Sequence, residues 1–213
     1  MKNFLFRKSL SMLASAAITG LSAGSACAQA VKLIADKPTF DDLQSPEYSG
    51  GGKQKQFKPK NWLEIEAKLN IAGGAAAKTK VCDRLTVKWY VLVKNPEKAA
   101  TFLLLTKEVE HVNVPYDEDI FCSVYLSPVS VKRITGSDRP GKGSVEAVGY
   151  EVLVNGTKVA TEAVGRFKSG FWNEASEKVS RNDSVPLLNK AETPFREMWW
   201  DRYAEVSEGR GSR

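Results

Sequence analysis

Histidine is almost missing from this chain of 213 residues, in which His111 is the single example. A Ser-His-Asp or Cys-His catalytic arrangement would have to use it, and no G-x-S-x-G nucleophile elbow is present. His111 stands between Glu110 and Val112 in a strand-like pattern, so we expect a histidine at a sheet surface or a strand end. The sequence offers no catalytic residue, and we expect that the protein is not an enzyme.

Patterns for metals and nucleotides are also missing. Neither Cys82 nor Cys122 belongs to a C-x-x-C pair, and the acidic residues at 117–119 lack EF-hand spacing. The stretch 136–143 approaches the G-x-x-x-x-G-K-[ST] phosphate loop, but Gly143 replaces the hydroxyl residue that holds Mg²⁺. We therefore predict no metal site, no cofactor, and a connecting loop at 136–143.

Long apolar runs and dense basic runs are scarce. The longest uncharged apolar stretch, Leu10 to Ala23, has 14 residues, whereas a membrane-spanning helix needs about 20. The chain has 31 Lys and Arg against 25 Asp and Glu, but three of the basic residues precede this stretch; without them the balance is 28 against 25, or +3. Nucleic-acid binders have a concentrated basic face, so we expect neither a nucleic-acid partner nor an integral membrane span.

The first 28 residues have the three parts of a secretory signal peptide. A positive start is followed by the apolar stretch, and Ala26-Cys27-Ala28 then places small residues at the −3 and −1 positions for cleavage after Ala28. We predict that residues 1–28 are removed on export to the periplasm, the outer surface or the medium. Lipidation of Cys27 is the alternative, although Gly24 stands where a lipoprotein signal usually has Leu.

Export changes what is expected of the cysteines. The mature chain keeps two, Cys82 and Cys122, and an even number in an oxidising compartment predicts a disulfide bond between them. Closing a loop of this length would stabilise the fold by roughly 4 kcal/mol in the chain-entropy model. Two separate buried thiols are the alternative.

Strand patterns fill the middle of the chain. Apolar and polar side chains alternate over residues 62–71, which is typical of a strand with one face in water. Further strand-like runs cover residues 81–93, 101–114 and 120–134, the last interrupted near its proline. Two more runs flank Asn155-Gly156, which predicts a type I′ hairpin because both turn residues need a positive φ.

The two ends of the mature chain differ from this pattern. Residues 29–59 contain three prolines and a triple glycine, so we predict an irregular N-terminal arm. The alternative is that part of this arm is ordered, through packing of Val31, Leu33 and Phe40. Thr193 and Pro194 predict the start of a short C-terminal helix. Four aromatic residues beyond them are candidates for partner binding, because Trp and Tyr are common in binding hot spots: Phe195, Trp199, Trp200 and Tyr203. Docking of these side chains onto the core is the alternative.

The number and spacing of the strands predict an all-β fold, an immunoglobulin-like two-layer antiparallel sandwich with a short C-terminal helix. Trp89 between two cysteines is similar to the immunoglobulin core, although here it shares a strand with the first cysteine. The predicted organisation is a signal peptide over 1–28, an irregular arm over 29–59, and the sandwich with its tail over 60–205.

Four segments resemble a family of secreted verrucomicrobial proteins of the Akkermansia type. They are Trp62 to Glu66, Trp89 to Val93, Tyr150 to Gly156, and the tail from Thr193 to Tyr203. These proteins are encoded near type IV pilus-like genes. The resemblance implies an immunoglobulin-like fold and a role with pilus or other surface assemblies, and it implies no catalytic or binding residues.

We therefore expect an exported structural or interaction protein whose partners are proteins of a type IV pilus-like or other surface assembly. A type IV pilin leader has a Glu soon after its cleavage Gly, and neither Gly20 nor Gly24 is followed by one, so an accessory component is expected. The alternative function is a periplasmic or extracellular domain that binds a glycan or a peptide, with Trp side chains stacked on sugar rings.

Overall fold

Strands make up most of the computed structural model, which describes residues 32–47, 58–73, 79–137 and 141–207. Within these residues there are eleven strands and one α-helix. They are β1 (Lys32–Ala35), β2 (Thr39–Gln44), β3 (Asn61–Ala72), β4 (Val81–Lys94), β5 (Phe102–Pro115), β6 (Asp119–Leu126), α1 (Pro128–Thr135), β7 (Val145–Val154), β8 (Thr157–Gly165), β9 (Val179–Arg181), β10 (Leu188–Asn189) and β11 (Glu205–Val206). The described residues all belong to one compact unit. The predicted signal peptide lies outside the described residues.

The strands form two sheets. The first sheet has the order β1-β3-β6-β10, with β2 also paired to β3. The second sheet has the order β11-β5-β4-β7-β8, with β9 parallel to the start of β5. The central pairs, β3 with β6 and β4 with both β5 and β7, are antiparallel. The prediction of an all-β sandwich is therefore confirmed.

The connectivity is that of an immunoglobulin domain. After β3 in the first sheet, β4 and β5 form a hairpin in the second; β6 then returns to β3, and β7 and β8 return to β4. These six strands, β3 to β8, take the immunoglobulin positions B, C, C′, E, F and G. Trp89 on β4 is fully buried, and its ring lies 5.4 Å from that of Tyr150 on β7. Strand C carries the core Trp in immunoglobulins too.

The core follows from strand alternation. Every second residue of β3 from Leu63 to Ile71 is at most 1 % exposed, while the residues between them are half-buried on the outer face. Burying each Leu or Ile stabilises the fold by about 1.5–3 kcal/mol. The predicted hairpin is present between β7 and β8, where Asn155 and Gly156 have φ values of 48° and 83°.

Two segments differ from the prediction. The irregular arm contains β1 and β2, which pair with β3 and pack Leu33 and Phe40 against the core. The final part of the predicted strand over 120–134 is instead α1, which begins at Pro128 after the capping hydroxyl of Ser127. Proline is well suited to the first turn of a helix, where its missing N–H has no partner to lose.

The loop at 136–143 holds a carboxylate from the same chain. Asp42 on β2 accepts hydrogen bonds from the backbone N–H groups of Gly141 at 2.6 Å and Lys142 at 3.2 Å. The Lys142 ammonium lies 3.1 Å from Asp41. Residues 138–140 of this loop lie outside the described residues. The amides that resemble a phosphate loop thus fasten β2 to the sandwich.

The predicted disulfide is not formed. Cys82, on β4 of the second sheet, and Cys122, on β6 of the first sheet, are both buried free thiols. Immunoglobulin disulfides join strands B and F, whereas these cysteines occupy the strands at positions C and E. Burial raises the pKa of both thiols, since the thiolate is poorly solvated there.

A segment that follows β8 covers the outer face of the second sheet. Residues 166–181, here called the apolar cover, place Trp172 flat on Tyr90 with ring centroids 4.5 Å apart. Phe171 and Phe167 continue this cluster. A Cβ on Gly149 would lie 2.1 Å from Trp172 Cζ3, so only glycine lets the indole lie against β7.

Candidate interaction surface at the C-terminal tail

The last described segment, residues 188–207, is called the tail and is fixed to both sheets. Its first strand, β10, pairs with β6 of the first sheet, and its last, β11, pairs with β5 of the second. At its start Asn189 and Glu192 form a capping box around a 3₁₀ turn, with bonds of 2.7 and 3.1 Å. A second 3₁₀ turn follows at Trp200–Arg202.

The predicted C-terminal helix is therefore replaced by turns. The tail's backbone bonds join residues three apart, as from Arg196 N to Thr193 O and from Met198 N to Phe195 O. Such bonds form separate turns and not the i→i−4 ladder of an α-helix. The aromatic residues of the tail do recur at short intervals, but two of them, Phe195 and Tyr203, contact rings of β3 and β6.

Two glutamates on the outer face of β3 anchor the tail. The Tyr203 hydroxyl donates to Glu66, and Arg202 Nη2 lies 2.6 Å from Glu66 Oε1. The Tyr203 hydroxyl also lies 3.3 Å from Glu64 Oε1, to which the Tyr125 hydroxyl of β6 donates at 2.8 Å. Burial raises the pKa of Glu64, and the hydroxyl donors partly oppose that rise. These carboxylates already have hydrogen-bond donors, so the network suits anchoring better than acid–base chemistry.

Aromatic rings support the tail from below. Phe195 is buried, stacks on Tyr125 at 5.4 Å between centroids, and meets Trp62 edge-on at 5.5 Å. Trp199 also stacks on Phe195, with ring centroids 6.5 Å apart. The guanidinium of Arg202 lies 3.7 Å above the ring of Phe121. This packing gives the surface above it a fixed shape.

Two tryptophans form that surface. Trp199 and Trp200 are 48 % and 58 % exposed, and in the described part of the chain the other exposed large apolar residues are Ile34 and Val129. Trp199 has a left-handed backbone, with φ 53° and ψ 42°. This conformation is uncommon for a bulky residue, and strained residues cluster at functional sites. We call this pair the tryptophan surface.

The four predicted partner-binding residues thus differ in their exposure to solvent. Trp199 and Trp200 face solvent, whereas Phe195 is buried and Tyr203 is half-buried with its hydroxyl bonded to Glu66. The latter two support the surface and do not form it. Sequence reasoning did not include Glu64 and Glu66, whose alternation on β3 indicated a face in water. The sequence feature that could have indicated their role is a pair of acidic residues on one face of a strand, together with an Arg-Tyr pair in the tail.

A buried lysine lies beneath the same surface. Lys190 is 6 % exposed, and its ammonium donates to the carbonyls of Arg196 at 3.1 Å and Met198 at 2.6 Å. It also lies 4.8 Å above the ring of Tyr203. Burial lowers its pKa, because the ammonium is poorly solvated there. Its sequence neighbourhood gave no sign that it would be buried.

A cleft of about 320 Å³ opens beside Trp200. Its lining comes from the tail alone: Lys190, Ala191, Arg196, Trp200, Tyr203, Ala204, Glu205 and Val206. Clefts from about 300 Å³ upward can hold small ligands or peptide side chains. Aromatic walls and two cationic side chains therefore meet at one site.

His111 lies under the end of the tail, not at a sheet surface or strand end as predicted. It is 2 % exposed because β11 covers it, and its Nδ1 lies 3.2 Å from the carbonyl oxygen of Ala204. Since a carbonyl only accepts, Nδ1 carries the proton, and Nε2 has no partner among the described residues. Burial lowers the pKa of His111 to about 4.

Two carboxylates of the acidic loop at 117–119 are bonded to neighbouring groups. Asp119 lies 2.6 Å from the Lys68 ammonium and accepts from Asn70 at 3.1 Å, and Asp117 accepts from the Gly73 amide at 3.1 Å. Among the described residues, no three or more His, Cys, Asp or Glu side chains meet in a way that suits a metal ion. No described helix is long and apolar enough to cross a membrane.

Comparison with known proteins finds a family model and a solved structure that match this chain. A protein-family model matches residues 24–210. A crystal structure of a protein from Akkermansia muciniphila is 39 % identical, with a TM-score of 0.77, and the match covers 83 % of this chain and 93 % of the other. No curated protein matches this chain.

Proposed function

This chain belongs to the family whose model matches residues 24–210 and is a relative of the Akkermansia muciniphila protein, and from this we propose a non-enzymatic interaction protein of a cell-surface assembly. The protein is exported, and a type IV pilus-like structure is the assembly that the sequence resemblance favours. The leader pattern of residues 1–28 supports export. The carboxylates of Glu64 and Glu66 on the outer face already accept hydrogen bonds, which favours a binding role over acid–base chemistry.

The tryptophan surface is the observation that carries this proposal. Large exposed apolar side chains are uncommon on monomers when they lie together, and Trp is the residue most enriched in binding hot spots. Trp199 and Trp200 are adjacent, exposed and held on a rigid base by Phe195. A rigid aromatic anchor loses little conformational entropy when it binds.

Fractionation of native cells tests the proposal. Surface filaments are sheared off, separated from periplasm and medium, and each fraction is probed for the mature chain after mild cross-linking. We expect the wild-type chain in the filament fraction, cross-linked to other proteins. The double variant Trp199→Ala/Trp200→Ala should lose most of these cross-links, because its surface no longer fills the partner's pocket.

Val129→Ala is the matched control. Val129 is 75 % exposed on α1 and lies outside the tail, so its loss should leave the cross-links unchanged. Uncross-linked monomer in the periplasm or the medium would contradict the assembly proposal and favour the alternative of a ligand-binding domain.

A further inference from the structure

The apolar cover forms a cleft of about 370 Å³ with the start of β5. Its apolar lining comes from Ala100 and Phe102 on one side and from Phe167 and Val179 of the cover on the other. The rings of Phe102 and Phe167 meet edge-on, with centroids 5.5 Å apart. We call this the cover cleft. Its size and aromatic lining suit one large apolar side chain.

The charged lining of the cover cleft is cationic. Lys178 and Arg166 line it, and no carboxylate does so among the described residues. Arg166 lies 3.7 Å from Glu146, but that carboxylate is shared with Lys94 at 3.4 Å. Lys178 is exposed, and its ammonium has no ion pair or hydrogen bond within the part of the chain that the structure describes. Glu177, its neighbour in sequence, does not line the cleft.

The tryptophan surface has the complementary character. It is apolar, and most of the charges beside it are already paired. Arg196 lies 3.2 Å from Glu197, and Arg202 lies 2.6 Å from Glu66. Asp201, directly after the two tryptophans, is exposed and has no ion pair among the described residues. The surface therefore presents two indoles beside one carboxylate whose charge is not neutralised.

The two sites lie on opposite faces of the sandwich. Phe102 and Phe167 pack with Trp172 on the outer face of the second sheet. The tryptophan surface lies above the first sheet, where Phe195 stacks on Tyr125. The two cannot meet within one molecule, but they can meet between two copies. An apolar patch that fits a pocket elsewhere on the same protein makes a heterologous contact, which repeats into a ring or an open filament.

We propose that the tryptophan surface of one copy inserts into the cover cleft of a second copy of this chain. An indole packs on Phe102 and Phe167, and Asp201 lies beside Lys178. The contact repeats from copy to copy and leaves one surface and one cleft free at the two ends. This inference rests on the proposed function, since it names a partner of the tryptophan surface.

Self-association of the purified mature chain tests this contact. Sedimentation velocity over a range of concentrations reports the size of the assemblies, and we expect them to grow past the dimer because the ends stay free. The variant Trp199→Ala/Trp200→Ala should weaken association at least tenfold, as expected for the loss of a hot spot. Ile34→Ala is the matched control: Ile34 is 54 % exposed on β1, outside both sites, and its loss should change nothing.

Exchange of two charges locates the contact. Lys178→Glu and Asp201→Lys should each weaken association about tenfold, because each places like charges together. The chain that carries both substitutions should recover wild-type association, since the pair is restored with its signs reversed. Both side chains are exposed, so the fold should be kept, which thermal unfolding checks. Lys80→Glu, exposed before the start of β4 at the other end of the sheet, is the charge control and should have no effect.

Four results would overturn this contact: a chain that stays monomeric up to about 1 mM, growth that stops at a dimer, no recovery in the double charge variant, or equal losses in the Ile34 and tryptophan variants. None of them depends on the cell fractionation. Filament association in cells without self-association sinks only this contact and leaves the tryptophan surface to another protein. Self-association without filament association sinks only the proposed function.

Discussion

The two outer faces of the sandwich are covered in opposite ways. The apolar cover on the second sheet buries Trp172 to 4 % exposure against Tyr90 and Gly149, and its indole N–H has no partner among the described residues. The tail on the first sheet is held instead by Tyr203 and Arg202, which contact Glu64 and Glu66, and it leaves its tryptophans in solvent. The same residue type thus contributes to the core on one face and to a surface on the other.

The layer beneath each cover explains this difference. On the second sheet, Gly149 and the ring of Tyr90 form a flat apolar surface beneath Trp172. Hydrophobic burial on such a surface is favourable and has no preferred direction. Carboxylates instead need donors at fixed positions, so Arg202 and Tyr203 are oriented by them. Directional bonds set the position of a segment more narrowly than burial does, which suits the presentation of a binding surface.

Replacing one tryptophan in each cover should separate the two roles most strongly. Trp172→Ala should lower the free energy of unfolding by about 4 kcal/mol, through lost burial and the cavity it leaves. Trp200→Ala should change it by less than about 0.5 kcal/mol, as expected of an exposed side chain. Urea denaturation of both variants measures this, and similar losses would mean that the tail also belongs to the core.

The contact between His111 on β5 and the end of the tail should respond to mild acid. His111 has a pKa of about 4 in the folded chain against 6.5 without burial, so it is neutral in the native state. Below about pH 6.5 the unfolded chain takes up a proton that the native one does not, and stability is lost as pH falls to about 4. The loss should reach about 3 kcal/mol by pH 4.

His111→Gln supplies the control for this pH dependence, because Gln keeps an N–H for the Ala204 carbonyl but does not titrate. The unfolding free energy of the wild type should fall relative to that of the variant as the pH is lowered from 7 to 4. Parallel curves would show that His111 is not the group responsible. The apolar cover contains no histidine, so its contacts are outside this effect.

Loss of one anchoring charge should have the smallest effect on stability and a local one on the tail. Glu66→Gln removes the charge that Arg202 contacts at 2.6 Å and should lower the free energy of unfolding by about 1–2 kcal/mol. Faster amide exchange in residues 199–206 than elsewhere would locate the change. Glu108→Gln, at an exposed pair with Lys88, should cost less than about 0.5 kcal/mol.

Sequence alone predicted the parts of this fold that depend on local pattern. The alternation of β3 and the Asn155-Gly156 turn could be recognised because each is set by neighbouring residues. β1 and β2 could not, since they are short, flank Pro38 and gain their stability from pairing with β3. The cysteine count suggested a bond that the strand positions do not make.

The candidate site was predictable in residue type but not in exposure. Aromatic residues spaced through the tail indicated a contact surface, and half of them turned out to face inward. What decided between Phe195 and Trp199 was the position of Tyr125 on β6, far away in sequence. A helix could not be distinguished from successive turns, because both bring residues three and four apart to one side.

The attachment of the tail to both sheets has a mechanical consequence. A pull on the C-terminal end is resisted first by β11 and its bonds to β5, and next by the side chains on β3 and the pairing of β10 with β6. Tension is thereby divided between two layers before it reaches the buried core. A protein built in this way can yield at its tail under load and keep its sandwich folded.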